Sequence, residues 1–446
     1  MEELKKTRAE KRKKLDDFKA CSELIKIIRH FFPDLLPMLK RVKDPRNQSY
    51  ITYERQVILM VRILAAIFHI GSMRKTTEEF NKDECIRNVS VLLGIEELEE
   101  LPHWSTINNY LEKIKDTELE NVIQKLVYRL IRMRYFENSR IRDKYWQILI
   151  DGTGIYNSNE RHCPHCLTKK HKDKDGNVKW IEYYHNALEA KLVLNGVIVI
   201  SIATQFIENE KPDVSKQDCE LNAFYRLAEK LKKAFPRLPI CLCMDSLYAA
   251  GPVFELCKHC NWHFIIRFKD GSLPTVAKDF HALKTMESSQ IFSIIENGVT
   301  KTYRYVTDID CQSHKLNVVE CVQSDREYPF VFLTDLPVSK RNYAQLVEDG
   351  RRRWKIENQG FNVQKNHGYE LEHLFSHDYN AMKNHYLLIQ IGHMIAQIFQ
   401  YAFTIWNDNH TPDYMIFQIL KLSFLTVLLS AEDISTIASR KQYRFH

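Results

Sequence analysis

The sequence is poor in glycine and proline, with thirteen of each among 446 residues. This scarcity excludes a collagen-like or low-complexity chain, because both need these residues in abundance. Long apolar runs are also missing. The two most apolar stretches, residues 57–70 and 414–430, are interrupted by Arg62 and by Gln418 and Lys421. Neither reaches the roughly 18 uninterrupted apolar residues of a membrane helix, so the sequence predicts no membrane span.

A strong excess of one charge and a secretion signal are missing as well. Lys and Arg number 64 against 57 Asp and Glu, and the resulting net charge of +7 permits a polyanionic partner without requiring one. The first twenty residues are mostly charged and lack the apolar segment of a signal peptide, so we expect a cytoplasmic protein. Eleven cysteines in such a chain are predicted to be reduced thiols rather than a disulfide framework.

The first part of the sequence is predicted to be helical. Residues 1–143 have apolar side chains at three- and four-residue steps, which predicts a helical region. Its first twenty residues are either a solvated helix or an arm that contacts DNA. Ser105 is predicted to cap a helix over residues 107–114. That helix is either the second helix of a helix-turn-helix or an ordinary structural helix.

The middle of the chain has the pattern of a mixed α/β sheet. Asn195 and Gly196 form a two-residue hairpin signal between two apolar strands. Predicted strands cover residues 146–150, 183–194, 197–204, 239–245 and 262–268, with helices over 217–235 and 247–260. Alternating residues at 288–336 then predict antiparallel strands, and helices are predicted over 343–360, 380–403 and 412–429.

Three carboxylates occur in separate elements. Asp151 and Asp245 are each predicted to follow an apolar strand, and ligand sites of open α/β sheets lie beyond such strand ends. Glu357 lies four residues after Arg353, hence on the same helix face. Each of these residues also has an ordinary explanation, as a turn or cap residue or as an exposed ion pair. If the three carboxylates converge, they need a compensating cation, and hard oxygen ligands select Mg²⁺ or Mn²⁺.

The order of these residues resembles an RNase H-like DDE transposase of the insertion-sequence type, most closely the relatives of insertion sequence four. The resemblance covers residues 145–393 and rests on three stretches: Ile150-Asp151-Gly152-Thr153-Gly154, Met244-Asp245-Ser246-Leu247-Tyr248 and Arg353-Trp354-Lys355-Ile356-Glu357-Asn358. It implies that Asp151, Asp245 and Glu357 hold two divalent metals that activate the attacking oxygen and stabilise the leaving one. Arg353 would orient Glu357 or neutralise a phosphate.

Two positions depart from the family's pattern around the glutamate. Gly350 occupies the position of a tyrosine, and Gln364 that of a lysine, with Lys365 one residue late. The basic side chains nearby could supply sequence-independent contacts to phosphate or form a solvated face; they are Arg351, Arg352, Arg353, Lys355 and Lys365. The nearest competing carboxylates are assigned to loops and helix starts; they are Glu208, Asp213, Asp218 and Glu220.

Two Cys-x₂-Cys motifs raise the question of zinc. Cys163 and Cys166 lie in a polar loop and could hold Zn²⁺ with a nearby pair of ligands. Cys257 and Cys260 end the helix after Asp245, which should carry them to the opposite edge of the sheet. A shared site is therefore not expected. Cys241 and Cys243 alternate on a strand, so we expect both in the core.

The sequence as a whole predicts a bacterial transposase, cytoplasmic and associated with the nucleoid. It would cut double-stranded DNA at element ends and join 3′-hydroxyl ends to target DNA, as a homodimer when bound. The predicted parts are a DNA-binding region (1–143), a first core part (144–270), a β-rich insertion (271–337), a glutamate helix (338–378) and a C-terminal tail (379–446). A metal-dependent nuclease on the same core, or an inactive DNA-binding derivative, are the alternatives.

Overall fold

The protein is described from a computed structural model. The model covers residues 20–96, 98–211, 214–286, 291–406 and 412–429. The charged N-terminal run and Asp213 therefore lie outside the described residues, except for Ala20. The chain forms two compact units, one from the described parts of Met1–Tyr135 and Gln364–His446, the other from Phe136–Val363. The five-part division expected from the sequence stays a prediction.

The first unit is mostly helical, and the second unit has helices of its own beside its sheet. In chain order the helices are α1 (Ala20–Phe31), α2 (Leu35–Arg41), α3 (Arg55–Ile67), α4 (Met73–Phe80), α5 (Asp83–Leu93), α6 (Trp104–Leu111), α7 (Asp116–Ile131), α8 (Glu220–Ala234), α9 (Gly251–Cys260), α10 (Pro274–Met286), α11 (Tyr343–Arg351), α12 (Asn362–Asn366), α13 (Tyr379–Trp406) and α14 (Asp413–Thr426). Short 3₁₀ turns cover Gln48–Tyr50, Arg134–Ser139 and Ser246–Tyr248, and a π-helical turn covers Ile356–Phe361.

In the part of the chain that the structure describes, the sheet contains ten strands. They are β1 (Trp146–Ser158), β2 (Leu167–Lys172), β3 (Val178–Leu194), β4 (Ile198–Ile207), β5 (Ile240–Met244), β6 (His263–Arg267), β7 (Ile291–Glu296), β8 (Val299–Cys311), β9 (His314–Gln323) and β10 (Phe330–Thr334). Their order is β2-β3-β1-β5-β6-β10-β9-β8-β7, with β4 paired to β3. The pairs β1–β5 and β5–β6 are parallel and the others antiparallel. The mixed α/β class predicted from the sequence is thus confirmed.

The strands after β6 extend the main sheet. β10 pairs with β6 in the register Leu333↔Ile266, and β9, β8 and β7 follow in antiparallel order. α11 packs its apolar face, including Leu346 and Val347, into the core cluster that contains Phe332 and Leu149. The predicted β-rich segment therefore shares the hydrophobic core of the strands that carry the aspartates. It also begins with a helix, α10, which the sequence pattern did not indicate.

The first unit is held together by long-range contacts between the two ends of the chain. α3 is buried along almost its whole length. Its Arg62 donates from Nε to His385 Nδ1 of α13 at 3.0 Å, with the guanidinium over the Phe375 ring. Ser105 is not the cap of α6, as the sequence suggested, because His103 occupies that position and its Nδ1 accepts the Ser105 backbone N–H. Among the described residues, no helix has both the length and the apolarity to cross a membrane.

Candidate active site

Asp151 lies within β1, where the parallel partner strand ends. The prediction that β1 stops at Ile150 was wrong, because the strand continues to Ser158 by pairing with β3, with Asp151 opposite Glu189. The parallel register between β1 and β5 reaches Leu149↔Cys243. Asp151 lies two residues after Leu149, and Asp245 lies two residues after Cys243. Their backbones are therefore side by side at the edge of the sheet where the parallel strands have their carboxyl ends. This places the two aspartates together, as the sequence predicted.

Asp245 follows β5 directly and caps the 3₁₀ turn that comes next. Its Oδ1 accepts the backbone N–H of Leu247 at 2.8 Å. The helix predicted over residues 247–260 is divided here into this turn and α9, which starts at Gly251. One carboxylate oxygen of Asp245 is thus occupied by the turn, which fixes the side chain at the sheet edge.

Glu357 reaches the same edge from a different element. The helix predicted over residues 343–360 is not continuous: α11 ends at Arg351, and Glu357 sits on the π-helical turn after a short break. Arg353 donates from Nη1 to Asp151 Oδ2 at 3.0 Å and from Nη2 to Glu357 Oε1 at 3.2 Å. The guanidinium therefore joins two carboxylates that are 206 positions apart in the sequence. The expected pairing of Arg353 with Glu357 is confirmed.

A buried lysine supports the turn that carries Glu357. Lys191 of β3 has no solvent exposure, and its Nζ lies 3.6 Å from Glu189 Oε2. A Cβ atom on Gly360 would lie only 3.2 Å from Lys191 Cδ, and the ammonium sits over the Phe361 ring. The aliphatic part of the Lys191 side chain thus packs directly against the π-helical turn at Gly360. π-Helical turns of this kind are frequent at functional sites.

Glu220 is a fourth carboxylate at the site. It begins α8, as predicted for a helix start, but its side chain also points to the aspartates. Its Oε1 accepts the Tyr248 hydroxyl at 2.7 Å, and a Cβ atom on Gly152 would lie 2.7 Å from its Oε2. Glycine at 152 therefore lets this carboxylate approach β1. No local sequence signal marked this proximity, since it depends on how α8 packs on the sheet.

The gathered negative charge alters the titration of Asp151. The pKa of Asp151 is raised to about 7: burial is the largest cause, Arg353 opposes it, and Glu357, Glu220 and Asp245 contribute to the rise. Burial also raises the pKa of Glu220, with a further contribution from Asp245, against the hydrogen bond from Tyr248. Arg353 contacts two of these four carboxylates, Asp151 and Glu357, and a divalent cation would relieve the remaining repulsion.

The residues present therefore fit a divalent cation. Asp151, Asp245 and Glu357 offer hard oxygen ligands of the kind that Mg²⁺ and Mn²⁺ prefer. The ligand atoms of these three residues do not all lie within 4.8 Å of one another. In the described part of the chain, the group that meets this distance is Cys163, Cys166 and His185.

The other basic residues of the segment are engaged with their own neighbours. Arg351 pairs with Glu348, Arg352 with Asp349, and Lys365, in the first unit, with Glu372. Burial and the charge of Arg352 lower the pKa of Lys355. Trp354 is half exposed, whereas Ile356 and Phe361 are buried. Contact of these basic residues with DNA stays a prediction.

The cysteine loop is separate from the carboxylates. Cys163 and Cys166 come together with His185 of β3, which the sequence analysis did not single out. His171, near the same loop, instead pairs with Glu182 and stacks on Trp180. Cys257 and Cys260 are buried in α9, and Cys241 and Cys243 are in the core.

A mixed sheet flanked by helices, with this order of carboxylates, is the RNase H-like fold of DDE enzymes. The chain belongs to the family of transposase DDE domains, whose pattern matches residues 142–395, more than half of its length. Members of this family are DDE transposases, a class of DNA recombination enzyme found in insertion sequences. A comparison with curated proteins gave no match. The finer relationship to insertion sequence four stays a prediction.

Proposed function

We propose that this transposase cuts DNA at the ends of its element and joins the 3′-hydroxyl ends to target DNA. The observation that carries the proposal is the meeting of Asp151, Asp245 and Glu357 at one edge of the sheet, with Arg353 between two of them. These three carboxylates would hold Mg²⁺ or Mn²⁺. When bound, such ions supply Lewis-acid activation of the attacking oxygen and stabilisation of the leaving oxygen.

The chain's own residues prepare the site for these ions. Burial raises the pKa of the Asp151 carboxyl to about 7, so near neutral pH this carboxyl is only partly ionised, and a bound cation would favour its ionised form. Arg353, whose side chain is 12% exposed, holds the Asp151 and Glu357 carboxylates in a fixed relation. Its guanidinium is also suited to neutralise a phosphate of the substrate.

Charge-neutral substitutions of the three carboxylates test this assignment. Asp151→Asn, Asp245→Asn and Glu357→Gln should each abolish Mg²⁺- or Mn²⁺-dependent cleavage of a labelled DNA end, while the protein stays folded and binds DNA. Glu348→Gln is the matched control, since Glu348 pairs with Arg351 outside the carboxylate group. Arg353→Ala should reduce cleavage less completely than loss of a ligand. Retained cleavage in Asp151→Asn or Asp245→Asn would refute the mechanism.

A strand-transfer assay distinguishes the transposase from the two alternatives. The wild-type protein should move a labelled 3′ end into plasmid DNA. A nuclease on the same core would cut without producing joined DNA, and an inactive derivative would bind DNA without cutting. We expect two copies of the chain on paired ends, as read by light scattering of the DNA complex, and action in the bacterial cytoplasm at the nucleoid.

A further inference from the structure

The loop between β1 and β2 carries a group of metal-ligating side chains apart from the carboxylates. Cys163 Sγ and Cys166 Sγ are 3.7 Å apart, and each lies 3.2 Å from His185 Nε2. A tetrahedral zinc ion with Zn–S of about 2.3 Å and Zn–N of about 2.0–2.1 Å would separate two sulfurs by about 3.8 Å and a sulfur from a nitrogen by about 3.5 Å. The three ligand atoms are thus spaced as the corners of a zinc tetrahedron.

The surrounding hydrogen bonds hold the two cysteines in this arrangement. The Cys166 backbone N–H donates to Cys163 O at 3.2 Å, and the Cys163 backbone N–H donates to Cys166 Sγ at 3.3 Å. Buried Asn209 fixes the turn from outside, accepting from His165 Nδ1 at 2.9 Å and donating from Nδ2 to Cys166 O at 2.9 Å. Outer contacts of this kind orient metal ligands and are part of a built site.

We propose that Cys163, Cys166 and His185 form a zinc site that fastens the β1–β2 loop to β3. In the described part of the chain the group has three members, which leaves one position of a tetrahedral ion open. Cys163 is the partly exposed member, whereas Cys166 and His185 are buried. The exposed His162 ring, stacked on Tyr183, stands outside the group.

The location gives the ion a role in the sheet. His185 is paired with Tyr156 of β1, at the bulge that follows Gly154. The same two strands pair Asp151 with Glu189 a few residues away. A zinc ion would therefore close the far end of the long β1–β3 ladder that carries Asp151, independently of the ions proposed for the carboxylates.

Metal analysis of the purified full-length chain tests the site. The wild-type protein should retain one zinc ion per chain after dialysis in reducing buffer, and Cys163→Ser, Cys166→Ser and His185→Asn should each weaken zinc affinity at least tenfold against a chromophoric chelator. Exposed Cys219→Ser is the matched thiol control and should leave zinc unchanged. Glu357→Gln should also keep its zinc, which separates this site from the carboxylates.

Cobalt substitution keeps the proposal falsifiable if a variant does not fold. Co²⁺ added to the wild-type apoprotein should give the visible bands of a tetrahedral ion and a sulfur-to-cobalt charge-transfer band of two thiolates. A wild-type protein without zinc that shows no such bands would overturn the proposal. So would a mass lower by two hydrogens, which would mean that Cys163 and Cys166 form a disulfide instead.

Discussion

At the scale of single residues, the chemistry of the site depends on the charge that Asp151 carries. Burial and three neighbouring carboxylates raise its pKa from 3.8 to about 7, even though Arg353 donates a hydrogen bond to it. The folded protein therefore binds a proton here more tightly than the unfolded chain does. The stability contributed by this proton is fully present below about pH 4 and is lost as the pH rises through 7.

Asp151→Asn should reverse this loss of stability. Asparagine mimics the protonated acid, so the variant should match the wild type near pH 4 and exceed it at pH 8, by about 1–4 kcal/mol given about 1.4 kcal/mol per pKa unit. Urea unfolding across this pH range measures the difference. Mg²⁺ at pH 8 should stabilise the wild type and not the variant. Equal stability of the two proteins at every pH would mean that burial and the neighbouring carboxylates do not raise the pKa of Asp151.

Glu220 adds to the same electrostatic field without being one of the three proposed ligands. Glu220→Gln keeps an oxygen for the Tyr248 hydroxyl but removes the charge beside Asp151 and Asp245. We expect the Mg²⁺ concentration for half-maximal cleavage to rise several-fold, with the maximal rate changed little, because a weaker field lowers cation affinity. Glu229→Gln, exposed on the same helix, is the control. An unchanged Mg²⁺ requirement would leave Glu220 with its helix-start role alone.

At the scale of elements, the departure from the family at Gly350 has a steric reason. Gly350 lies in α11 where it crosses β10, and a Cβ atom there would be 2.6 Å from Cδ1 of the buried Phe332 ring. A tyrosine therefore cannot occupy this position with Phe332 beneath it. α11 can approach β10 this closely because glycine has no side chain at the contact.

Gly350→Ala should accordingly destabilise the protein by about 1–3 kcal/mol, the usual cost of overpacking, although alanine favours helix more than glycine does. Phe332→Leu in the same chain should recover part of that loss, as a double-mutant cycle would show. Gly271→Ala, where a Cβ atom meets nothing within 4 Å, serves as the control. A neutral or stabilising Gly350→Ala would contradict the close packing of α11 on β10.

Local patterns were sufficient to predict some elements of the fold. The Asn195-Gly196 turn has positive φ at both residues, 48° and 70°, and joins β3 to β4 as the dipeptide predicted. Asp245 directly after β5 also followed from an apolar run ending in a polar residue. In both cases the signal lies within a few consecutive residues, so the local residue types and their pattern were enough to predict the structure.

Long-range pairing decided the elements that the sequence did not predict. Residues 152–158 include two glycines and have the pattern of a turn, yet they continue β1 because β3 pairs with them as far as Ser158↔Tyr183. His185 lies nineteen residues after Cys166, a longer gap than the roughly 12–15 intervening residues after which histidines follow Cys-x₂-Cys pairs in zinc sites, so spacing did not mark it. The approach of Glu220 to Gly152 had none, because it results from tertiary packing alone.

At the scale of the whole molecule, the first unit is assembled from distant parts of the chain. Asn384 of α13 donates to the backbone carbonyls of Leu111 and Ile114, at 2.8 and 3.0 Å, just after α6. Asn88 of α5 donates to the carbonyls of Phe424 and Val427. The N-terminal helices thus depend on C-terminal segments for both packing and hydrogen bonds. Terminal DNA binding by residues 1–143 stays a prediction, and its test requires the full chain.

A fragment of residues 1–143 should therefore not fold by itself. Without α13 and α14, the apolar surface of α3 and the carbonyls after α6 would face water, and Arg62 would lose His385. We expect no cooperative thermal transition by circular dichroism, and restoration of one when residues 364–446 are co-expressed. In the full chain, Asn384→Ala should cost about 0.5–1.5 kcal/mol, because it removes one of the two asparagine donors, Asn380 and Asn384, to the carbonyls of Leu111 and Ile114. Asn109→Ala, on an exposed position of α6, should be nearly neutral. A fragment that unfolds cooperatively without the C-terminal helices would show that the N-terminal helices are an independent domain.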